Sequence, residues 1–138
     1  MKIGLFILIG IVLGYIVKWM VNWLAIDNFI MSRKNFFLEA VGAIMVTWSA
    51  VNLGIQEAII FSIIALTLAG ISVIDFHTFE IPLIFIIIGV VASVAGIFLK
   101  VILLSSAFWG IFVGALIPMA IMLIMWGITK RQGMGYGD

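Results

Sequence analysis

The chain has no cysteine, only two prolines and one histidine, and few charged residues for its 138-residue length. Without cysteine there are no disulfides and no thiolate metal sites. The sequence therefore does not indicate whether the protein works in an oxidising or a reducing compartment. Seven basic and six acidic residues give a net charge of +1, and no basic block of the kind that follows nucleic-acid phosphates is present. These absences indicate no nucleic-acid partner, and we expect neither a metal nor a cofactor.

Apolar residues are what the chain has in abundance, at 66% of the sequence with a mean hydropathy of +1.41. A soluble domain of this size cannot bury so much apolar surface, whereas a lipid bilayer accepts it. A helix needs about 20 apolar residues to cross the hydrocarbon. Five such stretches are predicted, at residues 3–24, 36–53, 58–74, 81–98 and 107–128. The sequence therefore predicts one all-α domain over residues 1–138, a polytopic membrane bundle of about five transmembrane helices.

The distribution of basic residues predicts the orientation of this bundle. No small-x-small cleavage site follows the first stretch, so we expect that helix to be retained, with Lys18 snorkelling near its end. Most basic residues fall on the side reached after the first, third and fifth helices, namely Lys18, Arg33, Lys34, Lys130 and Arg131. By the positive-inside rule this side is cytoplasmic and the N-terminus is outside.

Two aspartates are predicted to leave the membrane on this same cytoplasmic side. Asp75 follows the third stretch and Asp138 follows the fifth, so an even number of crossings separates them. A carboxylate at the hydrocarbon edge is costly, and its default interpretation is functional. Two carboxylates at one surface predict a dyad that shares a proton. One would take a proton from water while its protonated partner donates a hydrogen bond to a scissile carbonyl.

The residues around the two aspartates carry a family resemblance. Asp75 is followed by Ile81-Pro82, where proline suits the start of a helix, and Asp138 closes the segment Gly135-Tyr136-Gly137-Asp138. On these two motifs the chain resembles the prepilin peptidases and preflagellin peptidases, which are membrane aspartic proteases. The segment Arg33-Lys34-Asn35-Phe36-Phe37-Leu38-Glu39 is similar to the one that opens the second helix of bacterial members.

The resemblance implies an aspartic endopeptidase in the inner (plasma) membrane of a prokaryote, with its active site at the cytoplasmic face. Asp75 and Asp138 would be the catalytic pair, and the substrate would be a prepilin-like membrane protein with a short basic leader. Residues expected to support the site or bind substrate are Gly135, Gly137, Pro82, Glu80 and Glu39, of which Glu80 or Glu39 would attract the leader.

The chain also departs from the family pattern. Family members commonly continue past the second aspartate with a lysine and further helices, so a chain ending at Asp138 is expected to be truncated at its C-terminus. The long cysteine-bearing loop between the first two helices is missing. In bifunctional members this loop belongs to the part associated with zinc and N-methylation, so we expect neither zinc nor methyltransferase activity here. Leu83 stands where the family often has a polar residue.

Other polar residues and small-residue motifs have structural interpretations. Glu39 is expected to pair with Lys18, Arg33 or Lys34, and His77 is interpreted as a loop residue rather than a metal ligand. The motifs Gly10-x-x-x-Gly14 and Gly110-x-x-x-Gly114 predict close helix packing. Two alternatives to the protease stay open: a small transporter or proton-relay subunit, and an inactive fragment with the protease fold. The oligomeric state is open as well.

Overall fold

The computed structural model describes residues 2–129, and within them the chain is helical with no strand. The helices are α1 (Lys2–Leu24), α2 (Phe37–Asn52), α3 (Ile55–Thr78), α4 (Leu83–Phe98) and α5 (Leu104–Thr129). A short 3-10 turn, Ile26–Asn28, lies in the connection between α1 and α2. The all-helical prediction is confirmed, and each of the five predicted stretches corresponds to one helix.

The helices differ in whether their length suits a bilayer. Ile3–Leu24, Ile55–Thr78 and Leu104–Ile121 are long and apolar enough to cross a membrane. The helices α2 and α4 have 16 residues each, which is about 24 Å at 1.5 Å per residue, against a hydrocarbon thickness of about 30 Å. The long apolar helices indicate a membrane protein, and crossing by α2 and α4 stays a prediction.

The chain divides into two compact units, residues 1–101 and residues 102–138. In the first unit α1 packs against α2, and α3 packs against α1, α2 and α4. Its buried core includes Val21, Leu38, Ile74 and Phe85. The second unit is described by α5 alone, whose candidate span is apolar along its length.

Glycines allow the backbones of α1 and α2 to touch. A Cβ added at Gly10 would overlap the carbonyl oxygen of Gly42, and one at Gly14 would overlap that of Leu38. Any side chain at these positions would force the helices apart, so the packing interpretation of Gly10-x-x-x-Gly14 is confirmed. In α5, by contrast, a Cβ at Gly110 or Gly114 would meet nothing within 4 Å among the residues that the structure describes.

The helix α4 runs antiparallel to α3. The ring of Phe85, near the start of α4, lies against Gly70, where an added Cβ would come within 2.9 Å of it. One turn later along α4, Gly89 lies next to Thr67, which is earlier in α3. Advancing along α4 therefore means moving back along α3, as two successive membrane helices would do.

The turn between α3 and α4 differs from the prediction. The third stretch was expected to end at Ile74, but α3 continues to Thr78, so Asp75 lies in its last turn. Phe79 ends the helix by adopting a left-handed conformation with φ of 55°, and its N–H donates to the Asp75 carbonyl at 2.9 Å. Pro82 lies just before α4 rather than inside it, as the N-cap residue in an extended conformation with ψ of 122°.

Candidate functional site

Two side chains of α1 hold the connection to α2 in place. Lys18 donates from Nζ to the backbone carbonyls of Arg33, at 3.4 Å, and of Asn35. One turn further along α1, Asn22 binds both backbone groups of Met31, accepting from its N–H at 2.7 Å and donating to its carbonyl at 3.4 Å. The connection is therefore fixed to the end of α1 by side-chain hydrogen bonds rather than by regular secondary structure.

Lys18 also forms a buried ion pair with Glu39. Its Nζ lies 3.0 Å from Oε1 of Glu39, and the two side chains are 6% and 9% exposed. The same ammonium lies 5.3 Å from the centre of the Phe36 ring, within range of a cation–π interaction. The predicted pairing of Glu39 is confirmed with Lys18 as its partner. The prediction that Lys18 snorkels to water is wrong, because backbone carbonyls and Glu39 replace the water around its ammonium.

Asp75 contrasts with Glu39 in both exposure and bonding. Its side chain is exposed in the last turn of α3, and within residues 2–129 its carboxylate accepts no hydrogen bond and forms no ion pair. Glu57 at the other end of α3 has a local structural partner, since its carboxylate accepts the Gly54 N–H at 3.1 Å. Asp75 therefore places a carboxylate on an apolar helix, and within residues 2–129 this carboxylate has neither a hydrogen bond nor an ion pair.

His77 lies on the same last turn of α3 and is not a loop residue, which corrects the prediction. Its ring stacks on that of Phe29 with centroids 4.2 Å apart, and its Nδ1 lies 2.8 Å from the carbonyl oxygen of Val73. The stacking joins the end of α3 to the connection after α1. No group of three histidine or acidic residues that would hold a metal ion occurs among residues 2–129.

A pocket of about 440 Å³ separates this connection from α3. One wall carries Met31, Asn35 and Phe37, and the other carries residues from the last two turns of α3, namely Ser72, Val73, Phe76 and His77. Met31 is buried, whereas Phe37 and Phe76 are exposed at the rim. Asp75 does not line the pocket, but it lies on α3 between residues that do.

Comparison with known proteins adds nothing to this geometry: the chain matches no family model, no curated protein and no solved structure. The resemblance to the prepilin peptidases therefore stays a prediction that rests on the residues quoted for it.

The structure locates four of the seven predicted site residues. Asp75 and Glu80 are exposed at the end of α3, Pro82 precedes α4, and Glu39 is buried against Lys18. The other three, Gly135, Gly137 and Asp138, lie outside the described residues, so the dyad stays a prediction.

Sequence reasoning missed the clamp formed by Lys18 and Asn22, and it missed the pocket. The clamp had a signal, because two polar residues stand four positions apart at the end of an apolar stretch and so share one helix face. The pocket had none, since its walls come from segments more than 30 residues apart.

Proposed function

We propose that this protein is an aspartic endopeptidase of the prepilin peptidase type. It cuts the basic leader from a prepilin-like membrane protein at the cytoplasmic face of a prokaryotic plasma membrane. Asp75 and Asp138 act as the general acid–base pair, one taking a proton from water and the other donating a hydrogen bond to the scissile carbonyl. Because two close carboxylates do not both ionise readily, they titrate as a pair.

The observation that carries the proposal is the state of the Asp75 side chain. It is exposed in the last turn of an apolar helix, and no hydrogen bond or ion pair within residues 2–129 occupies its carboxylate. A carboxylate next to hydrocarbon costs free energy and is kept where it has a function. Glu39, an acid in the first turn of α2, has a structural function in its pair with Lys18.

The dyad requires both α4 and α5 to cross the membrane. The antiparallel packing of α4 on α3 supports the first crossing, because the two helices lie side by side. The length of α4 leaves about 6 Å of a hydrocarbon layer of about 30 Å uncovered. Local thinning of the bilayer accommodates such a mismatch at a cost of fractions of a kcal/mol per Å.

Recognition of the basic leader is assigned to Glu80 rather than Glu39. Glu39 is buried and neutralised by Lys18, whereas Glu80 is exposed just beyond the end of α3. An exposed carboxylate five residues from Asp75 attracts a cationic segment toward the place where hydrolysis occurs.

The test is cleavage of a precursor pilin by the membrane-inserted protein. Asp75→Asn and Asp138→Asn are each expected to lower the rate by about 10²–10⁴-fold, since each removes a proton-transfer group. Asp27→Asn is the matched control: Asp27 is exposed in the α1–α2 connection with φ of 49°, a conformation that asparagine adopts readily. Wild-type and Asp27→Asn proteins should cut at equal rates.

The outcomes separate the protease from its alternatives. Cleavage that survives both substitutions contradicts the dyad. No cleavage by this chain, together with cleavage by a longer one, supports the inactive-fragment alternative. A transporter or proton relay requires ionisable groups along a path across the bilayer. The one ion pair within residues 2–129, Lys18 with Glu39, also binds the backbone of the α1–α2 connection, so the pair has a structural function instead.

A further inference from the structure

The pocket beside Asp75 has the size and lining of a ligand site, and the dyad makes no use of it. Its volume of about 440 Å³ lies within the roughly 300–1,000 Å³ that is typical of ligand pockets. Four of its lining residues are apolar, namely Met31, Phe37, Val73 and Phe76. Two of these are exposed aromatic rings at the rim, which supply large contact areas at a low cost in conformational entropy. The pocket suits an apolar group.

Its polar side chains have a defined remaining capacity for hydrogen bonds. The hydroxyl of Ser72 donates to a carbonyl one turn earlier in α3, which leaves its lone pairs as acceptors. Because Nδ1 of His77 lies 2.8 Å from the Val73 carbonyl, that nitrogen carries the proton in the neutral ring and Nε2 is an acceptor. Asn35 accepts the Phe37 N–H with Oδ1, so its amide group remains a donor. The lining therefore offers two acceptors and one donor.

This combination fits a peptide better than an anion. A peptide backbone presents N–H donors and carbonyl acceptors in alternation, whereas a phosphate or a lipid headgroup needs donors. The exposed side chains of Arg33 and Lys34 immediately precede Asn35 and disfavour a cationic group. The geometry points to a subsite for an apolar side chain of the peptide substrate, with the adjoining backbone hydrogen-bonded to Ser72, His77 and Asn35.

This subsite rests on the proposed protease function and deepens it. Ser72 lies three residues before Asp75 on α3, a spacing that puts Cβ atoms about 5–6 Å apart on a helix surface. A side chain held in the pocket therefore belongs to a residue within a few positions of the bond that is cut. Lys18 and Asn22 are positioning residues, because they fix the wall of the pocket that Met31 and Asn35 provide.

Crosslinking tests the subsite without requiring cleavage. The chain has no cysteine, so Ser72→Cys in the Asp75→Asn background introduces a unique thiol at the pocket. The probe is a precursor pilin with one cysteine placed at successive positions around the cleavage point, and disulfide yield is the readout. Yield is expected to peak several-fold at a position whose natural residue is apolar. Leu68→Cys, exposed on α3 one turn earlier and outside the pocket, should give a flat, low profile.

Filling the pocket tests the subsite in the active enzyme. Ser72→Trp should raise KM for the precursor about tenfold with little change in kcat, since it removes substrate binding and leaves both aspartates in place. Leu68→Trp should leave both constants unchanged.

The two proposals fail in different ways. Equal crosslinking from both cysteines, no crosslinking, or a peak at a basic position overturns the subsite, whether or not the protein cleaves. An unchanged KM in the Ser72→Trp variant overturns it as well. A sharp crosslinking peak, together with no cleavage by the chain that retains Asp75, contradicts the protease and supports the peptide-binding pocket.

Discussion

Nζ of Lys18 and Oε1 of Glu39 lie 3.0 Å apart in the packed interface between α1 and α2, with both side chains buried. The pair joins two elements, because Lys18 also binds the backbone carbonyls of Arg33 and Asn35 in the connection that leads to α2. The other oxygen of Glu39 has no hydrogen-bond partner among residues 2–129. One ammonium group therefore supports the carboxylate, the connection and one wall of the pocket beside Asp75.

Removal of the lysine should be strongly destabilising. Lys18→Met leaves the Glu39 carboxylate buried without a counter-charge, which costs about 3–5 kcal/mol in comparable pairs. Denaturation of the purified protein in detergent micelles measures the change in unfolding free energy. The double variant Lys18→Met, Glu39→Leu should recover part of this loss, since it removes the orphaned charge but not the backbone hydrogen bonds. A single variant as stable as wild type contradicts this account of the pair.

Packing between α1 and α2 should depend on Gly14. Gly14→Ala places a Cβ on the Leu38 carbonyl, and overpacking of this kind costs about 1–3 kcal/mol. Gly4→Ala is the matched control on the same helix, because a Cβ there meets nothing within 4 Å. It should be neutral or stabilising by up to about 1 kcal/mol from helix propensity. Thermal unfolding in micelles compares the two, and similar stabilities would mean that the helix backbones do not touch.

Asn22 should contribute more to stability than a surface asparagine does. Asn22→Ala leaves the buried N–H of Met31 without its acceptor, at a cost of about 1–3 kcal/mol. Asn52→Ala, which removes an exposed side-chain bond to the Trp48 carbonyl, should cost less. Limited proteolysis between α1 and α2 gives a second readout, because the connection should become accessible only in the first variant. Equal proteolysis of both variants contradicts the clamp.

Labelling of single cysteines should show which helices cross the membrane. In intact cells, an impermeant maleimide should react with Gln56→Cys and Leu103→Cys at the outer face. It should not react with Lys34→Cys or Glu80→Cys until the membrane is opened, because these positions are predicted to be cytoplasmic. All four positions are exposed in the structure. Labelling of Glu80→Cys and Leu103→Cys from the same side would mean that α4 does not cross, which would separate Asp75 from Asp138.

The helices were predictable because the apolar stretches are long and interrupted at the turns. Their ends were predictable only approximately. The extension of α3 past Asp75 to Thr78 was missed, because a polar residue at the end of an apolar stretch resembles a loop in hydropathy alone. Phe79 ends the helix in a left-handed conformation, which is expected from sequence at glycine or asparagine rather than at phenylalanine.

The sequence by itself determined that the chain forms apolar helices, that Gly10 and Gly14 would face a neighbour, and that Glu39 needed a basic partner. These properties follow from composition and spacing, which act over a few residues. Only the tertiary structure selected Lys18 over Arg33 and Lys34, left Asp75 exposed, and placed Met31 and Asn35 across a pocket from Ser72 and His77. Such choices depend on which helix faces meet, and that is decided by packing between segments far apart in the chain.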